Sequence, residues 1–93
     1  MNLQTIYNNK HLFGTRNIGS ELILVPIKNN VANMTELYTL NEVGSFIWGH
    51  IDGVKTIDDI VKALTEEFCI DEITAKKDIE EFLEKISLLI TNN

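Results

Sequence analysis

Cysteine and proline are nearly absent from this sequence, and long apolar runs are missing. One cysteine among 93 residues cannot form an internal disulfide or a multi-cysteine metal site. Cys69 lies between Phe68 and Ile70, and we expect it to be a small core residue. No stretch approaches the ~18 apolar residues of a membrane-spanning helix, and MNLQTIYNNK at the start lacks the apolar segment of a signal peptide. These absences predict a soluble, cytoplasmic protein.

Basic residues are far outnumbered by acidic residues in the second part of the chain. Up to Asn41 there are three basic and two acidic residues, whereas from Glu42 onward there are five basic and twelve acidic residues. The net charges of +1 and −7 account for the overall −6. A nucleic-acid-binding protein needs a basic surface to neutralise phosphates, so we expect no specific binding to duplex DNA.

Residues that commonly carry out catalysis or bind metals are also few. His11 and His50 have no second histidine or cysteine at ligand spacing, and the five glycines are isolated instead of forming a phosphate-binding loop. His50 falls on the apolar side of a predicted helix, as a structural histidine would. We therefore expect no enzyme activity, no metal and no organic cofactor, and we expect the function to be recognition.

The first part of the chain is predicted to form strands. ELILVPI, residues 21–27, is rich in apolar and β-branched residues, and the turn signal Gly19-Ser20 separates it from HLFGTRNI, which predicts a hairpin. TELYTL, residues 35–40, alternates between two faces and predicts a third strand. Residues 1–10 are rich in asparagine and glutamine, so we expect a flexible N-terminus or a loose extra strand there.

The second part is predicted to form three helices, at about 42–51, 57–68 and 72–89. Each follows a residue that commonly caps helices: Asn41, Thr56 and Asp71. Apolar residues recur at three- and four-residue spacing in all three, which predicts one buried face on each helix. These faces comprise Val43, Phe46, Ile47 and His50; Ile57, Ile60, Val61, Leu64 and Phe68; and Ala75, Ile79, Phe82, Leu83, Ile86 and Ile90.

Strands followed by helices predict an α+β fold. A small N-terminal antiparallel sheet of three strands, followed by three short helices, is typical of a winged helix-turn-helix arrangement. We expect one such domain over residues 11–90, preceded by the loose segment 1–10.

An ordered set of short motifs runs through residues 40–86. The set comprises Leu40-Asn41-Glu42, Gly44, Ile47-Trp48, Asp52-Gly53, Thr56-Ile57, Phe68, Asp78-Ile79 and Phe82-Leu83. At these spacings it resembles the PqqD family, the precursor-peptide chaperones or RiPP recognition elements named after coenzyme PQQ synthesis protein D. ILVP upstream resembles the family's second strand, so the resemblance extends from about residue 19 to residue 90. Family members often have a glycine near the end of the third helix, which SLLI in this chain lacks.

The resemblance implies a non-catalytic protein that captures the leader segment of a ribosomally made precursor peptide. In this family the leader is held as an added strand, along the third strand and against the third helix, and is presented to a modifying enzyme, often a radical SAM enzyme. An exposed strand edge supplies main-chain hydrogen bonds for such a peptide, and Tyr38 is a candidate amphipathic anchor. The residues expected to bind the peptide are Thr35, Glu36, Leu37, Tyr38, Thr39, Leu40, Ile73, Lys76, Lys77 and Glu80.

Two other classes of function stay open. A winged helix that reads DNA would insert its third helix into a groove, but that helix carries six acidic residues and three lysines between Asp71 and Lys85. Such a helix would be repelled by phosphates. A self-associating structural module would pair the same sheet edge with a second copy, giving a homodimer, and this sequence is compatible with that arrangement.

Overall fold

The computed structural model describes residues 2–28, 31–32 and 37–91, and over these residues the protein consists of a small antiparallel sheet and four α-helices. The helices are α1 (Leu3–Asn9), α2 (Glu42–His50), α3 (Ile57–Phe68) and α4 (Glu72–Thr91). The strands are β1 (Phe13–Ile18), β2 (Glu21–Lys28), β3 (Val31–Ala32) and β4 (Tyr38–Leu40), and a 3-10 turn at Lys10–Leu12 joins α1 to β1. The predicted α+β fold, with a sheet followed by three helices, is confirmed, and α2, α3 and α4 are the three predicted helices.

β2 is the central strand of the sheet. The predicted hairpin is present, because β1 pairs with β2 in antiparallel fashion from Phe13 opposite Pro26 to Ile18 opposite Glu21. On the other side, β4 pairs with the first half of β2, and β3 pairs with its last two residues. β3 and β4 therefore lie one after the other along the same side of β2, and together they take the place of a single third strand. Of the predicted strand 35–40, residues 38–40 are a strand, and residues 35 and 36 lie outside the described residues.

The three predicted helix caps are present. The Asn41 side-chain oxygen accepts a hydrogen bond from the Gly44 amide at 2.8 Å. The Thr56 hydroxyl accepts from the Asp59 amide at 3.2 Å while the Asp59 carboxylate accepts from the Thr56 amide at 2.9 Å, which completes a capping box. The Asp71 carboxylate accepts from the Thr74 amide at 2.6 Å, and this hydrogen bonding lowers the pKa of Asp71.

The N-terminal segment differs from the sequence-based expectation. Residues 3–9 form a helix and not a loose segment or an extra strand, and the Asn2 side chain caps it by accepting from the Thr5 amide at 2.8 Å. A helix this short gains its stability from packing and not from helix propensity. That packing is supplied by Ile6, which is fully buried in the same core as the other helices. The segment is therefore part of the folded unit.

Lys10 ties the N-terminal segment to the end of α2. Its ammonium donates hydrogen bonds to the carbonyl oxygens of Trp48 and Ile51, at 2.9 and 3.0 Å, and lies 4.9 Å from the centre of the Trp48 ring. The Trp48 carbonyl oxygen also accepts a hydrogen bond from the Ile51 amide, at 3.2 Å, so Lys10 adds a charged donor to the carbonyl groups at the C-terminus of α2. Burial lowers the pKa of Lys10.

Cys69 also differs from the expectation, because it is exposed and does not lie in the core. It ends α3 in the left-handed backbone region, with φ of 54°. This conformation reverses the chain between α3 and α4. The reversal places Phe68 and Ile70 against the core on either side of the exposed cysteine.

The core lies between the sheet and the helices, and every α-helix contributes to it. The largest fully buried side chains are Ile6, Leu24, Ile47, Ile60, Leu64, Ile79 and Ile86. Trp48 is buried edge-to-face against Phe13, whereas Phe46 is half-buried and stacks on the His50 ring at 4.1 Å. Nδ1 of His50 lies 2.9 Å from the Phe46 carbonyl oxygen. The contacts of His50 are thus with its own helix, as expected for a structural histidine.

None of the helices over the described residues is both long enough and apolar enough to cross a membrane. Within the same residues no cluster of three histidine, cysteine, aspartate or glutamate side chains is arranged to hold a metal ion.

Candidate functional site

A groove of about 210 Å³ lies between β4 and α4. The strand forms one wall, the helix forms the other, and the start of α2 forms the floor between them. The lining residues are Tyr38, Thr39 and Leu40 from β4; Asn41, Val43, Gly44 and Ile47 from the start of α2; and Asp78, Glu81, Phe82, Lys85 and Ile86 from α4.

The strand wall of the groove offers an edge with main-chain hydrogen-bonding groups. β4 pairs with β2 on one side only, and within the described residues no other strand pairs with its second side. Main-chain groups of successive residues in an antiparallel strand point alternately to the two sides. The N–H and C=O groups of either Thr39, or of Tyr38 and Leu40 together, therefore point away from β2 and are available to another strand.

The floor of the groove depends on Gly44. A Cβ atom at this position would lie 3.5 Å from Cβ of Leu40, 3.6 Å from Cδ2 of Phe82 and 3.3 Å from the capping oxygen of Asn41. A glycine here lets β4, α2 and α4 approach one another closely, because no side chain separates them. Apolar side chains lie beneath the floor, since Ile47 and Ile86 line the groove and are fully buried.

The helix wall carries a row of charges above this floor. Asp78, Glu81 and Lys85 line the groove at three- and four-residue spacing, so they lie along one side of α4. Asp78 is half-buried, whereas Glu81 and Lys85 are exposed. Within the described residues the ion pairs are Lys55 with Asp52 and Lys76 with Glu72, and neither involves this row. We call Asp78, Glu81 and Lys85 the charged rim.

The structure places part of the predicted peptide-binding strand in the groove. Tyr38, Thr39 and Leu40 line it, and they are half-buried, exposed and buried, respectively. Leu37, just before β4, is 46% exposed and does not line the groove. Thr35 and Glu36 lie outside the described residues.

The residues predicted on α4 do not line the groove. Ile73 precedes Phe82 by nine residues, which at about 100° per residue places it on the opposite side of the helix. Ile73 is 82% exposed, and Lys77 and Glu80 are also exposed. Lys76 lies 3.6 Å from Glu72 and lines a separate hollow between α3 and α4. The structure therefore does not bring these four residues together with β4.

Sequence reasoning missed the α2 and α4 residues that do line the groove. Phe82 and Ile86 belong to the predicted apolar stripe, which is buried, and the charged rim flanks that stripe on the side toward β4. The signal that was present in the sequence is Gly44, a residue without a side chain inside an otherwise apolar helix. Such a glycine often marks a close approach of other chain segments.

Comparison with known proteins identifies the family. Residues 21–87 match the family described as coenzyme PQQ synthesis protein D (PqqD). The chain belongs to the PqqD family. The matched segment contains β2, β4, α2, α3 and α4 as far as residue 87, and so includes every residue that lines the groove.

A solved structure gives a second comparison. The structure described as TbiB1 in complex with the TbiA(beta) leader peptide superposes on this chain with a TM-score of 0.65 and 25% sequence identity. The similarity covers 82% of this chain and 83% of that one. A separate comparison of this sequence with curated proteins gave no match.

Proposed function

We propose that this PqqD-family protein binds the leader segment of a ribosomally made precursor peptide as a strand added to β4, in the groove between β4 and α4. The observation that carries the proposal is the position of the groove, directly beside the strand edge that β2 leaves unpaired. Family membership and the similarity to TbiB1, a protein whose structure is described as a complex with a leader peptide, support it.

Each part of the groove has a role in this binding mode. Main-chain groups at the free edge of β4 form hydrogen bonds that do not depend on the peptide sequence, and each contributes about 1 kcal/mol net. The floor around Gly44, Ile47 and Ile86 receives apolar side chains that point inward from the bound strand. Because these walls exist before the peptide arrives, little ordering of the protein opposes binding. We expect a dissociation constant in the micromolar range or below, which corresponds to about −8 kcal/mol or better.

The peptide-binding residues proposed from the structure are therefore the lining of the groove. They keep Tyr38, Thr39 and Leu40 from the sequence-based set and add the lining residues of α2 and α4. On α4, Phe82 and Ile86 replace Ile73, Lys76, Lys77 and Glu80 as the expected contacts, since the first two line the groove and the other four do not. Leu37 is next to β4 and would extend the added strand by one residue.

We further propose that the protein is a non-catalytic carrier, which delivers the bound leader to a separate modifying enzyme such as a radical SAM enzyme. Within the described residues the groove holds no histidine or cysteine, and its charged rim lies on the wall of an open cleft and not in an enclosed pocket. The leader occupies the groove in this proposal, so the rest of the precursor extends away from the protein, where an enzyme can act on it.

The free edge of β4 is also the element through which a homodimer would form. Pairing of two copies through β4 uses the same main-chain groups as peptide binding, so the two states exclude one another. We expect any such dimer to dissociate when leader peptide is added. Sedimentation velocity with and without the peptide measures this directly.

Amide chemical-shift mapping tests the binding site. The probe is the precursor peptide encoded beside the gene for this protein, titrated into ¹⁵N-labelled protein. We expect the largest shifts at Tyr38–Leu40, at Gly44 and along the groove side of α4. Shifts that cluster on α3 or β1 and leave β4 unchanged would show that the peptide does not add to this edge.

A pair of proline substitutions tests the hydrogen bonding. Proline lacks the main-chain donor, and the amides of residues 38 and 39 point to opposite sides of β4. One of Tyr38→Pro and Thr39→Pro therefore removes a bond to β2 and lowers stability. The other removes a donor at the free edge, and we expect it to weaken peptide binding about fivefold or more. Equal binding by both variants and the unchanged protein would contradict strand addition.

A further inference from the structure

The charged rim of the groove is arranged to select the charge pattern of its ligand. We propose that it favours a peptide that places a basic side chain opposite Asp78 and Glu81 and an acidic side chain opposite Lys85. This inference rests on the function proposed above and specifies the class of leader that the groove accepts. It comes from the order of three side chains on α4 that line the groove.

The spacing of the rim matches the spacing of side chains on a strand. Helical residues rise ~1.5 Å each, so Asp78 and Glu81 are ~4.5 Å apart along the axis of α4, and Glu81 and Lys85 are ~6 Å apart. One cationic group can therefore lie between the two carboxylates. Side chains on the same face of a strand are two residues and roughly 6.6–6.8 Å apart. Along the axis, a cation beside Glu81 would lie ~6 Å from Lys85 and one midway between the carboxylates ~8 Å from it, and the strand spacing falls within this range. The two charges of the peptide are thus expected two residues apart, as a Lys/Arg-x-Asp/Glu pattern in one direction of the chain or the other.

The rim charges can interact with a bound peptide, because they do not form ion pairs with other described residues of the protein. Within the described residues no ion pair uses Asp78, Glu81 or Lys85, although Glu81 and Lys85 are at a spacing that permits one. Asp78 is half-buried beside Phe82, and a peptide strand in the groove would cover it further. Coulombic interactions strengthen as water is excluded, so a peptide with the opposite pattern would place like charges together in a partly desolvated groove.

Charge exchange on the rim tests the inference. The probe is a displayed library of random 16-residue peptides, selected on the unchanged protein and on the Asp78→Lys/Glu81→Lys double variant. The matched control is Glu80→Lys/Glu84→Lys, which changes the net charge equally but lies off the groove. On the unchanged protein and on the control we expect enrichment of Lys or Arg two residues from Asp or Glu. On the rim variant we expect the basic residue to be lost from the pattern.

Because Asp78 is half-buried, Lys85→Glu serves as a second variant that alters the rim at an exposed position. We expect it to remove the acidic member of the pattern, and a peptide selected on the unchanged protein to bind it about tenfold more weakly. Peptides that map by chemical shift to β4 and α4 but show no charge pattern would overturn this inference and leave the proposed function intact. The same enrichment on the rim variant as on the control would overturn it as well. A library that yields no peptide mapping to β4 would overturn both.

Discussion

The substitution Gly44→Ala tests whether the glycine on the groove floor is needed for peptide binding. In the interior of a helix, alanine is favoured over glycine by up to ~1 kcal/mol. At this position the added methyl would lie 3.3 Å from the Asn41 oxygen that caps α2. That is a closer contact than most Cβ atoms make, so Asn41 must shift, and a lost cap costs about 1 kcal/mol. The two effects offset one another, and we expect the free energy of unfolding to change little.

The effect of Gly44→Ala on peptide binding should be much larger. The new methyl lies between Leu40 and Phe82, at 3.5 and 3.6 Å, and raises the floor on which the peptide side chains rest. A peptide side chain that packs on Gly44 would clash with this methyl, and a steric misfit of this kind costs about 1–3 kcal/mol, which corresponds to a loss of roughly 5- to 150-fold in affinity. Isothermal titration calorimetry with the leader peptide measures the affinity, and urea denaturation measures the stability.

Gly49→Ala is the matched control, because it makes the same change in the same helix where a Cβ atom would contact nothing within 4 Å. This variant should gain up to ~1 kcal/mol of stability, or about 4–8 °C in Tm for a domain of this size, and should bind peptide normally. If Gly44→Ala gains as much stability as Gly49→Ala and binds peptide equally well, Gly44 does not form the floor of the binding site.

Two further predictions concern the framework that holds the site. Lys10→Met should lower the free energy of unfolding by about 1–2 kcal/mol, because hydrogen bonds from a charged donor to the two carbonyls at the end of α2 are lost and relief of the buried charge offsets only part of that loss. Urea denaturation measures the change, and the exposed control Lys62→Met should show no comparable loss. A Lys10→Met variant as stable as the unchanged protein would contradict the bridging role of Lys10. Asp52 accepts hydrogen bonds from the Lys55 side chain and from nearby amides, which hold its pKa below the ordinary value, so its stabilising effect is present above about pH 4 and is lost as the pH falls further. Asp52→Asn should therefore flatten the decrease in Tm between neutral and acidic pH, and a decrease as steep as that of the unchanged protein would show that this carboxylate does not contribute.

The helices after residue 40 could be predicted from the sequence because the forces that set their limits are local. Asn41, Thr56 and Asp71 cap helices through hydrogen bonds that span three residues. The apolar periodicity that marks the buried face of each helix is equally local. The hairpin of β1 and β2 follows from a turn at Gly19, whose φ is 62°. In these segments local preference and tertiary packing agree, so the sequence alone sufficed.

The tertiary structure decided the features that depend on distant contacts. α1 is polar and short, and it is a folded element because Ile6 finds a buried position in a core formed by residues far along the chain. Cys69 is exposed because the path from α3 to α4 requires a left-handed residue there. Neither requirement can be seen in the neighbouring residues.

The groove also combines features that follow from the sequence with features that depend on tertiary packing. The sequence determined that α4 buries one face and that a strand precedes α2, and the family resemblance pointed to both as the binding elements. It did not determine which flank of α4 lies beside β4, because the apolar stripe of a helix has two polar borders that are equivalent in the sequence. The chain path places Asp78, Glu81 and Lys85 at the border that meets β4, and Ile73 on the far side of the helix. Only the packing of α4 against α2 and the sheet distinguishes the two borders.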